Sequence, residues 1–272
     1  MKPRNADAAF VDSIPQIYER YLVPLIFESY AVDLALRVAR YDPSRVLEMA
    51  AGTGVVTRQL AKVLPFSASI VATDLNQPML DHASTIGTTR PIEWRQADAM
   101  QLPFADGAFD VVVCQFGVMF FPDKVQAFAE ARRVLRPGGA FVFNVWDRID
   151  QNEFADTVTR SLEAVFPGDP PRFMARIPHG YHEPSVIAKD LALGNFARAP
   201  EITTLPQRSR AESSRIAALA YCQGTPLRSE IEARGASRLV EATDAATLAM
   251  ERQFGSGSVD GKIQAHVVIV QR

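Results

Sequence analysis

The hydrophobic positions of the chain follow two rhythms, which divide it into helical and strand-forming stretches. Residues 14–40 repeat apolar side chains every four positions, which predicts helix, and Pro24 is expected to separate a short helix from a longer one. From Arg45 to Trp146, short apolar runs alternate with helical stretches. Near-continuous apolar strands separated by helices predict a parallel sheet buried on both faces. The fold class is therefore α/β, with a doubly wound sheet.

The same patterns predict where each strand and helix begins and ends, and they predict one structural domain. The predicted strands are 46–48, 69–73, 92–96, 109–114, 140–146, 199–205 and 263–270. The predicted helices after residue 40 are 55–64, a helix with Asn76 as its N-cap, 123–135 (stopped by Arg136-Pro137-Gly138-Gly139), 152–166, 185–193 and a helical block over 211–254. We expect an N-terminal helical lid (1–44), an α/β core (45–147) and a C-terminal part (148–272). This last part contains a helical cap (about 207–255) and a closing strand, all within one structural domain.

Composition narrows the class of protein. The chain has 272 residues and is 47% hydrophobic. Its formal net charge is −2, so it has no overall positive charge that would attract nucleic acid or anionic lipid. Cys114 and Cys222 have no partners at metal-ligand spacing, which fits a reducing compartment and predicts no metal site. The N-terminus lacks a signal-peptide pattern, and no apolar run is long enough for a membrane span. We therefore expect a cytoplasmic protein.

The stretch Val46 to Thr57 has the pattern of a strand, a turn of small residues and the start of a helix. Glycine and alanine suit such a turn because a larger side chain would keep a ligand away from the backbone. The helix start offers free N–H groups and the positive end of a dipole, which favour a carboxylate or a phosphate. The turn residues are Ala50, Ala51, Gly52, Thr53 and Gly54.

Polar side chains stand where the predicted strands end. Glu48 ends the first strand, Asp74 ends the second, 20 residues after Gly54, and Asp98-Ala99 follows the third. Ligands of doubly wound sheets bind at the carboxyl ends of the strands, where an acidic residue can accept both hydroxyls of a ribose. A carboxylate beside a backbone amide could bind an adenine edge. Structural interpretations stay open: Glu48 could satisfy turn amides, Asp74 could cap a helix, and Asp98 could anchor its own loop.

Four stretches taken together resemble the class I S-adenosylmethionine-dependent methyltransferases, in the group similar to the ubiquinone/menaquinone-biosynthesis C-methyltransferases. They are Val46–Thr57, Val71–Asn76, Gln96–Asp110 and Leu135–Gly139, in family order over about residues 45–147. The resemblance implies a Rossmann-like, mostly parallel seven-stranded sheet whose last strand is antiparallel. It implies S-adenosylmethionine as the cofactor and in-line transfer of its methyl group to oxygen, nitrogen or carbon of a small molecule.

The resemblance also assigns roles to the first two strand ends. The turn at Ala50, Gly52 and Gly54 would support the methionine portion of the cofactor. Many members have glycine where this chain has Ala50. Alanine adds one methyl group, so we expect the turn to form and the cofactor to approach it slightly differently. Asp74 would bind the ribose hydroxyls, with Leu75 against the adenine.

For the third and fourth strand ends, the resemblance implies that Asp98 contacts the adenine amino group and that Ala99 offers a backbone amide. Gln115 and Phe116 would face the methyl group and the substrate. The full set of expected cofactor-binding residues is Tyr21, Glu48, Ala50, Gly52, Thr53, Gly54, Asp74, Leu75, Met79, Asp98, Ala99, Gln115 and Phe116.

Catalytic residues are harder to identify, because methyl transfer from a sulfonium needs a base only if the acceptor must lose a proton. His179 and His182 are the first candidates, since histidine titrates near neutral pH, and Asp147 is the second. Structural histidines in a loop remain the alternative. The expected substrate-binding residues are Tyr18, Phe120, Trp146, Tyr181 and Tyr221, although core packing explains most of these aromatics equally well.

Other classes of function stay open on the sequence. A nicotinamide-dependent oxidoreductase has the same kind of glycine turn, but its motif has a third glycine at the position of Thr57. A non-catalytic protein with this fold could bind the cofactor and transfer nothing. A nucleic-acid methyltransferase is disfavoured by the acidic balance. The expected partner is a small-molecule acceptor, with no nucleic acid and no membrane span, and the sequence allows for a homodimer.

Overall fold

The strands form where apolar residues follow one another, and the sheet joins them in an order different from that of the chain. The computed structural model describes residues 14–235 and 237–272. Its strands are β1 (Arg45–Glu48), β2 (Ser69–Asp74), β3 (Glu93–Gln96), β4 (Phe109–Gln115), β5 (Leu135–Trp146), β6 (Glu201–Ala211) and β7 (Val259–Gln271). Over these described residues the seven-stranded sheet has the order β3-β2-β1-β4-β5-β7-β6. β1 to β5 pair in parallel and β7 is antiparallel to β5, which confirms the predicted fold class.

Helices connect most of these strands. They are α1 (Ile14–Ile17), a π-helix (Tyr18–Phe27), α2 (Glu28–Ala39), α3 (Val55–Val63), α4 (Gln77–Ile86), α5 (Lys124–Val134), α6 (Glu153–Val165), α7 (Phe173–Arg176), α8 (Pro184–Leu193), α9 (Ser214–Gln223), α10 (Leu227–Ala233) and α11 (Arg238–Phe254). Among the described residues, no helix combines the length and apolar character needed to cross a bilayer. Within the same residues, no group of three His, Cys, Asp or Glu side chains could hold a metal ion.

The chain divides into two compact units. The first, called here the sheet unit, comprises Glu28–Trp146, Tyr181–Leu205 and Ala265–Arg272. The second, called the helical unit, comprises residues 14–27, Asp147–Gly180 and Pro206–Gln264. The boundary runs through β6 and β7, each of which contributes residues to both units. The expected organisation into lid, core and cap within one domain stays a prediction.

The core of the sheet unit follows from its central strands. Val111, Val112, Val113 and Cys114 of β4 have no exposed surface, and Val46 and Leu47 of β1 are equally buried. A strand covered on both faces must be apolar at consecutive positions, which is the pattern that the sequence shows. β3 lies at the edge of the sheet and is charged and mostly exposed, which protects the edge from pairing with other chains.

Of three local predictions, the helix break at Pro24 is wrong, whereas the N-cap position of Asn76 and the end of α5 are confirmed. Pro24 does not break the N-terminal helix, because it lies inside the π-helix, whose wider winding tolerates a residue without an N–H. Asn76 occupies the N-cap position of α4, but its side chain makes no cap bond and donates to Asp74 instead. α5 ends beside Leu135 as predicted, yet Arg136–Gly139 already belongs to β5, and a shift of register in the β4–β5 ladder accommodates it.

The C-terminal part contains more regular structure than its sequence suggests. β6 extends to Ala211, beyond the predicted end at 205. The prediction ended early because the second half of the strand, with Arg208 and Arg210, is polar and has no apolar run. The helical block 211–254 consists of three helices after a strand end, and α7 adds one turn inside the proline-rich stretch. Apolar periodicity misses such elements when they are short or lie at a sheet edge.

Candidate functional site

The turn after β1 is held between two neighbouring strands. The Met49 amide donates to the Val113 carbonyl (2.8 Å) and the Ala51 amide donates to the Thr73 carbonyl (2.9 Å). Within the turn, Ala50, Gly52 and Gly54 all have positive φ angles of 53°, 56° and 81°. For Ala50 this conformation costs about 1–2 kcal/mol, because a Cβ crowds the following carbonyl. The predicted turn is therefore formed, at the cost of strain at the position where glycine would have been relaxed.

Glycine is required at position 54 for space as well as for its backbone angle. A Cβ added there would lie 2.9 Å from the Trp94 side chain and 3.2 Å from the Ala83 Cβ. Gly54, directly before α3, is thus packed tightly against side chains of β3 and α4. The side chain of Thr53, between the two glycines, is buried, and its hydroxyl has no hydrogen-bond partner within residues 14–235 and 237–272.

Glu48 and Thr57 form a buried pair beneath the turn. The Thr57 hydroxyl donates to Glu48 Oε2 at 2.5 Å, and both residues are almost fully buried. Burial raises the pKa of the Glu48 carboxyl to about 8, although the Thr57 hydrogen bond opposes this rise. Thr57 stands where a dinucleotide-binding turn would have its third glycine. Its hydroxyl satisfies a carboxyl group there, so the position serves a different purpose in this chain.

Asp74 connects the end of β2 to the turn. Its Oδ2 accepts the Gly52 amide at 2.9 Å, and its Oδ1 accepts the Asn76 amide at 2.8 Å. Burial raises the pKa of this carboxyl, and the backbone hydrogen bonds partly offset the rise. Each carboxylate oxygen has two lone pairs, and Oδ1 also accepts the Asn76 side-chain amide, so the capacity to accept a ligand hydroxyl lies on Oδ2. Asp74 can therefore bond to backbone amides, as the structural interpretation requires, and also accept a ribose hydroxyl, as the binding prediction requires.

The exit of β3 lies beside the exit of β2. The Ala97 amide donates to the Asp74 carbonyl (3.0 Å), and Asp98 Oδ1 accepts the Met100 amide (2.9 Å). This second bond is the loop-anchoring role that the sequence left open. Asp98 and Ala99 are nevertheless half-buried, and Leu75, which follows Asp74, is 54% exposed. An exposed leucine next to a carboxylate at a strand end offers an apolar surface beside a hydrogen-bond acceptor.

The exit of β4 carries an aromatic cluster. The Phe116 ring stacks on Trp146 with 3.8 Å between ring centroids and 5° between planes, and Tyr30 meets both rings edge-on. All three rings are buried. Gln115, one residue earlier, is half-buried. The structure thus brings the predicted residues Phe116 and Trp146 into contact.

Two residues at the exit of β4, Tyr30 and Asn144, were not predicted as site residues from the sequence. Tyr30 appeared only as part of a helical stripe, yet its hydroxyl donates to the Leu205 carbonyl at 3.0 Å. Asn144 was passed over inside β5, although it is the one polar residue between Ala140 and Trp146. A single amide in an otherwise apolar strand is a signal that could have identified it.

The other predicted residues of the sheet unit have defined surroundings. Met79 is buried in α4, and Phe120 is half-buried. The Tyr181 hydroxyl donates to Asp190 at 2.8 Å, while the Lys124 ammonium lies 4.9 Å from the centre of the Tyr181 ring. His182 Nε2 lies 3.1 Å from the Glu183 carboxylate. Their roles in substrate binding or catalysis stay predictions.

In the helical unit, two predicted catalytic residues meet. His179 Nδ1 lies 2.8 Å from the Asp147 carbonyl oxygen. A carbonyl only accepts, so Nδ1 carries the proton and Nε2 holds the lone pair of the neutral ring. The Asp147 carboxylate accepts the Gln264 side-chain amide (2.6 Å) and the Arg148 backbone amide (2.7 Å).

The predicted tyrosines of the helical unit are engaged in packing. The Tyr18 ring stacks on Phe27 with centroids 5.0 Å apart, and the Arg20 guanidinium lies 5.0 Å from the Tyr21 ring centre. Tyr221 is 2% exposed, and burial raises the pKa of its hydroxyl. These contacts fit the packing interpretation, and the binding roles of the three tyrosines stay predictions.

Comparison with known proteins places this geometry among methyltransferases. Residues 47–143 match a family model described as a methyltransferase domain. The demethylmenaquinone methyltransferase of Lactiplantibacillus plantarum is 32% identical over 170 residues, which are 61% of this chain and 69% of that protein. The corresponding protein of Thermus thermophilus is 45% identical over 114 residues, 41% of this chain and 50% of that protein. The chain thus matches half of the length of the Thermus protein and just over two thirds of the length of the Lactiplantibacillus protein.

A solved structure extends the likeness to nearly the whole chain. The phosphoethanolamine N-methyltransferase 2 of Haemonchus contortus, in complex with S-adenosyl-L-methionine, has a TM-score of 0.56 at 13% identity. The alignment covers 96% of this chain and 56% of that one. At this identity the likeness shows the fold alone.

Proposed function

Because the chain belongs to the class I S-adenosylmethionine-dependent methyltransferases, we propose that it transfers the methyl group of that cofactor to a small-molecule acceptor. One observation carries this proposal. The turn at Ala50–Gly54, Asp74 and Asp98 stand at the ends of three adjacent parallel strands. The Gly52 amide donates to the Asp74 carboxylate, and the Asp74 carbonyl accepts the amide of Ala97, the residue before Asp98. The carboxyl edge of a doubly wound sheet is where such folds bind their ligands.

The residues at this edge suit the parts of the cofactor. Asp74 would accept the ribose hydroxyls, Leu75 would pack on the adenine, and Asp98 with the Ala99 amide would bind the adenine edge. The half-exposed turn at Ala50 and Gly52 would hold the amino-acid end. When bound, S-adenosylmethionine supplies an electrophilic methyl group on a sulfonium. The buried rings of Phe116 and Trp146 exclude water beside the strand end, which favours transfer to an oriented acceptor over hydrolysis.

We propose a small molecule with an oxygen, nitrogen or carbon nucleophile as the acceptor. Two relatives bear the name demethylmenaquinone methyltransferase, so demethylmenaquinone is the first compound to test. The family match ends at residue 143, however, and most of the predicted acceptor-binding residues lie outside it. The acceptor can therefore differ from that of the relatives.

Where the acceptor must lose a proton, we propose His179 as the base. Its hydrogen bond to the Asp147 carbonyl selects the tautomer that leaves a lone pair on Nε2. Asp147 and His182 are the alternatives. We further propose a cytoplasmic location and a homodimer as one form of the protein. Cys114 and Cys222 are both buried free thiols, which fits a reducing compartment.

The decisive experiment incubates the protein with methyl-labelled S-adenosylmethionine and a panel of small metabolites that includes demethylmenaquinone. Mass spectrometry then identifies any labelled product. A labelled metabolite establishes the activity and the atom that is methylated. Calorimetry with S-adenosylhomocysteine runs beside it. Tight binding without any labelled product would contradict the transferase proposal and favour a protein that only binds the cofactor.

A further inference from the structure

Asn144 is an isolated polar residue in the middle of the sheet. It lies in β5, paired in register with Gln115 of β4, and it has no exposed surface. Its Oδ1 accepts the Phe116 amide at 2.9 Å, and the Asn144 backbone carbonyl accepts the same amide at 3.3 Å, so the side chain supplies the shorter of two bonds. A backbone N–H only donates, so this bond fixes which end of the side-chain amide is the oxygen. The amide nitrogen then has no hydrogen-bond partner among the residues that the structure describes.

This arrangement is costly at two points. A buried donor without an acceptor costs about 1–3 kcal/mol. Phe116 has a φ of 49°, and the left-handed conformation costs a residue with a Cβ about 1–2 kcal/mol more. A leucine at position 144 would keep the branched shape of the side chain without the orphaned amide. Local strain of this kind persists only where the surrounding structure enforces it, and it concentrates at functional sites.

The strain produces a defined exit from β4. The left-handed turn at Phe116 lays its ring flat on Trp146. Gly117 follows, and a Cβ there would lie 2.5 Å from the Ala50 Cβ and 2.7 Å from Cys114 Sγ. The β4 exit is therefore pressed against the turn after β1. Gln115, which the resemblance places toward the methyl group, is the residue immediately before this constrained step.

We propose that Asn144 is a positioning residue: its side-chain oxygen holds the Phe116 amide so that the β4 exit, from Gln115 to Gly117, keeps its orientation beside the β1 turn. This inference rests on the proposed function for its catalytic consequence. Its structural consequence, the stacked Phe116–Trp146 pair, is independent of the function. A residue that acted through stability alone would affect unfolding first, whereas a positioning residue affects ring geometry and rate.

The first test compares Asn144→Leu and Asn144→Asp with Trp146→Phe by near-UV circular dichroism without ligand. Trp146→Phe identifies the band of the stacked indole. Asn144→Leu removes the side-chain acceptor and also the orphaned donor, and it leaves only the longer bond to the backbone carbonyl of residue 144. We therefore expect the band to fall towards the Trp146→Phe level while the melting temperature is kept or raised. Asn144→Asp retains an oxygen for the Phe116 amide, so the band should be restored. Asn144→Ala replaces the leucine variant if that variant does not fold.

The second test measures S-adenosylhomocysteine binding and methyl transfer with the same variants. Asn144→Leu should lower kcat by about ten-fold or more, as expected for a misplaced reacting group, and Asn144→Asp should recover most of the rate. An unchanged band with an unchanged rate in Asn144→Leu would overturn the proposal. If the wild type neither binds the homocysteine product nor methylates any acceptor, the proposed function fails instead, and the circular dichroism still decides the role of Asn144.

Discussion

The sheet unit and the helical unit orient their functional side chains in different ways. In the sheet unit, Asp74 and Asp98 stand at strand ends and bond to amides two residues away, at Asn76 and Met100. In the helical unit, His179 depends on a carbonyl 32 residues away. The difference teaches where short-range sequence signals are informative. Each strand-end carboxylate has an amide donor two residues away, to which Asp74 adds the Gly52 amide 22 residues away, whereas the His179 ring bonds to a carbonyl 32 residues away.

This comparison predicts that substitutions in the sheet unit change cofactor affinity and that those at His179 change the rate. The largest effect is expected for Asp74→Ala. The variant loses the acceptor of the Gly52 amide and the proposed ribose contacts, and lost charged hydrogen bonds are worth about 1.5–3 kcal/mol each. S-adenosylhomocysteine affinity should therefore fall by about 100-fold or more in calorimetry.

The matched control for that variant is Asp81→Ala, which removes an exposed carboxylate from the adjacent helix α4. Its affinity should match the wild type. Circular dichroism checks that both variants are folded. Wild-type affinity in folded Asp74→Ala would refute the ribose-binding role and leave Asp74 as a structural residue of the turn.

The next effect is expected in the helical unit. His179→Asn keeps a donor near the Asp147 carbonyl but removes Nε2. If the acceptor must be deprotonated, kcat should fall by about 10²–10⁴-fold, the usual contribution of a general base, while S-adenosylhomocysteine affinity stays within about three-fold. His182→Asn removes the alternative base beside Glu183, and it should keep the wild-type rate if His179 is the base. An unchanged rate in the His179 variant with an acidic acceptor would exclude His179 as the base.

A smaller effect concerns pH and the buried Glu48. Its pKa of about 8 in the folded protein exceeds the ordinary value of 4.5, so the folded protein retains a proton that the unfolded chain releases. This group therefore makes the free energy of unfolding fall as pH rises from 4.5 to 8. Glu48→Gln cannot titrate and should flatten that part of the slope in urea unfolding.

The exposed Glu93 in β3 provides the control for this pH experiment, since Glu93→Gln changes the same chemical group on the surface of the same sheet. Its pH dependence should follow the wild type. A Glu48→Gln slope identical to that of the wild type between pH 4.5 and 8 would show that Glu48 ionises as readily in the folded protein as in the unfolded chain.

The smallest effect is expected at Ala50. Ala50→Gly relieves the positive φ of 53° and should raise the free energy of unfolding by about 1 kcal/mol, less any loss of contact with Gly117. Urea unfolding measures it. Ala217→Gly, inside helix α9 of the helical unit, is the control and should destabilise by about 1 kcal/mol. A destabilised Ala50→Gly variant would mean that the alanine methyl contributes more packing than the strain costs.

Much of the sheet unit could be predicted because its signals are short. Alternating apolar runs marked β1 to β5, and the acidic residues at the ends of β1 and β2 could be read directly. The second half of β6 and the helix α7 were missed, since an edge strand can be polar and a single helical turn has no periodicity. The His179–Asp147 bond and the Asp147–Gln264 bond could not be predicted, because their partners are 32 and 117 residues apart.

The sequence by itself determined the alternation of strands and helices, the glycine-rich turn and the class of ligand, because each depends on residues close together along the chain. Only the tertiary structure decided the strand order, the left-handed conformations of Ala50 and Phe116, and the pairing of Glu48 with Thr57. The hydrogen bond from Phe116 to Asn144 belongs with these. All of them depend on which distant segments meet in the core, and a backbone angle or a buried carboxyl is stable only once those neighbours are in place.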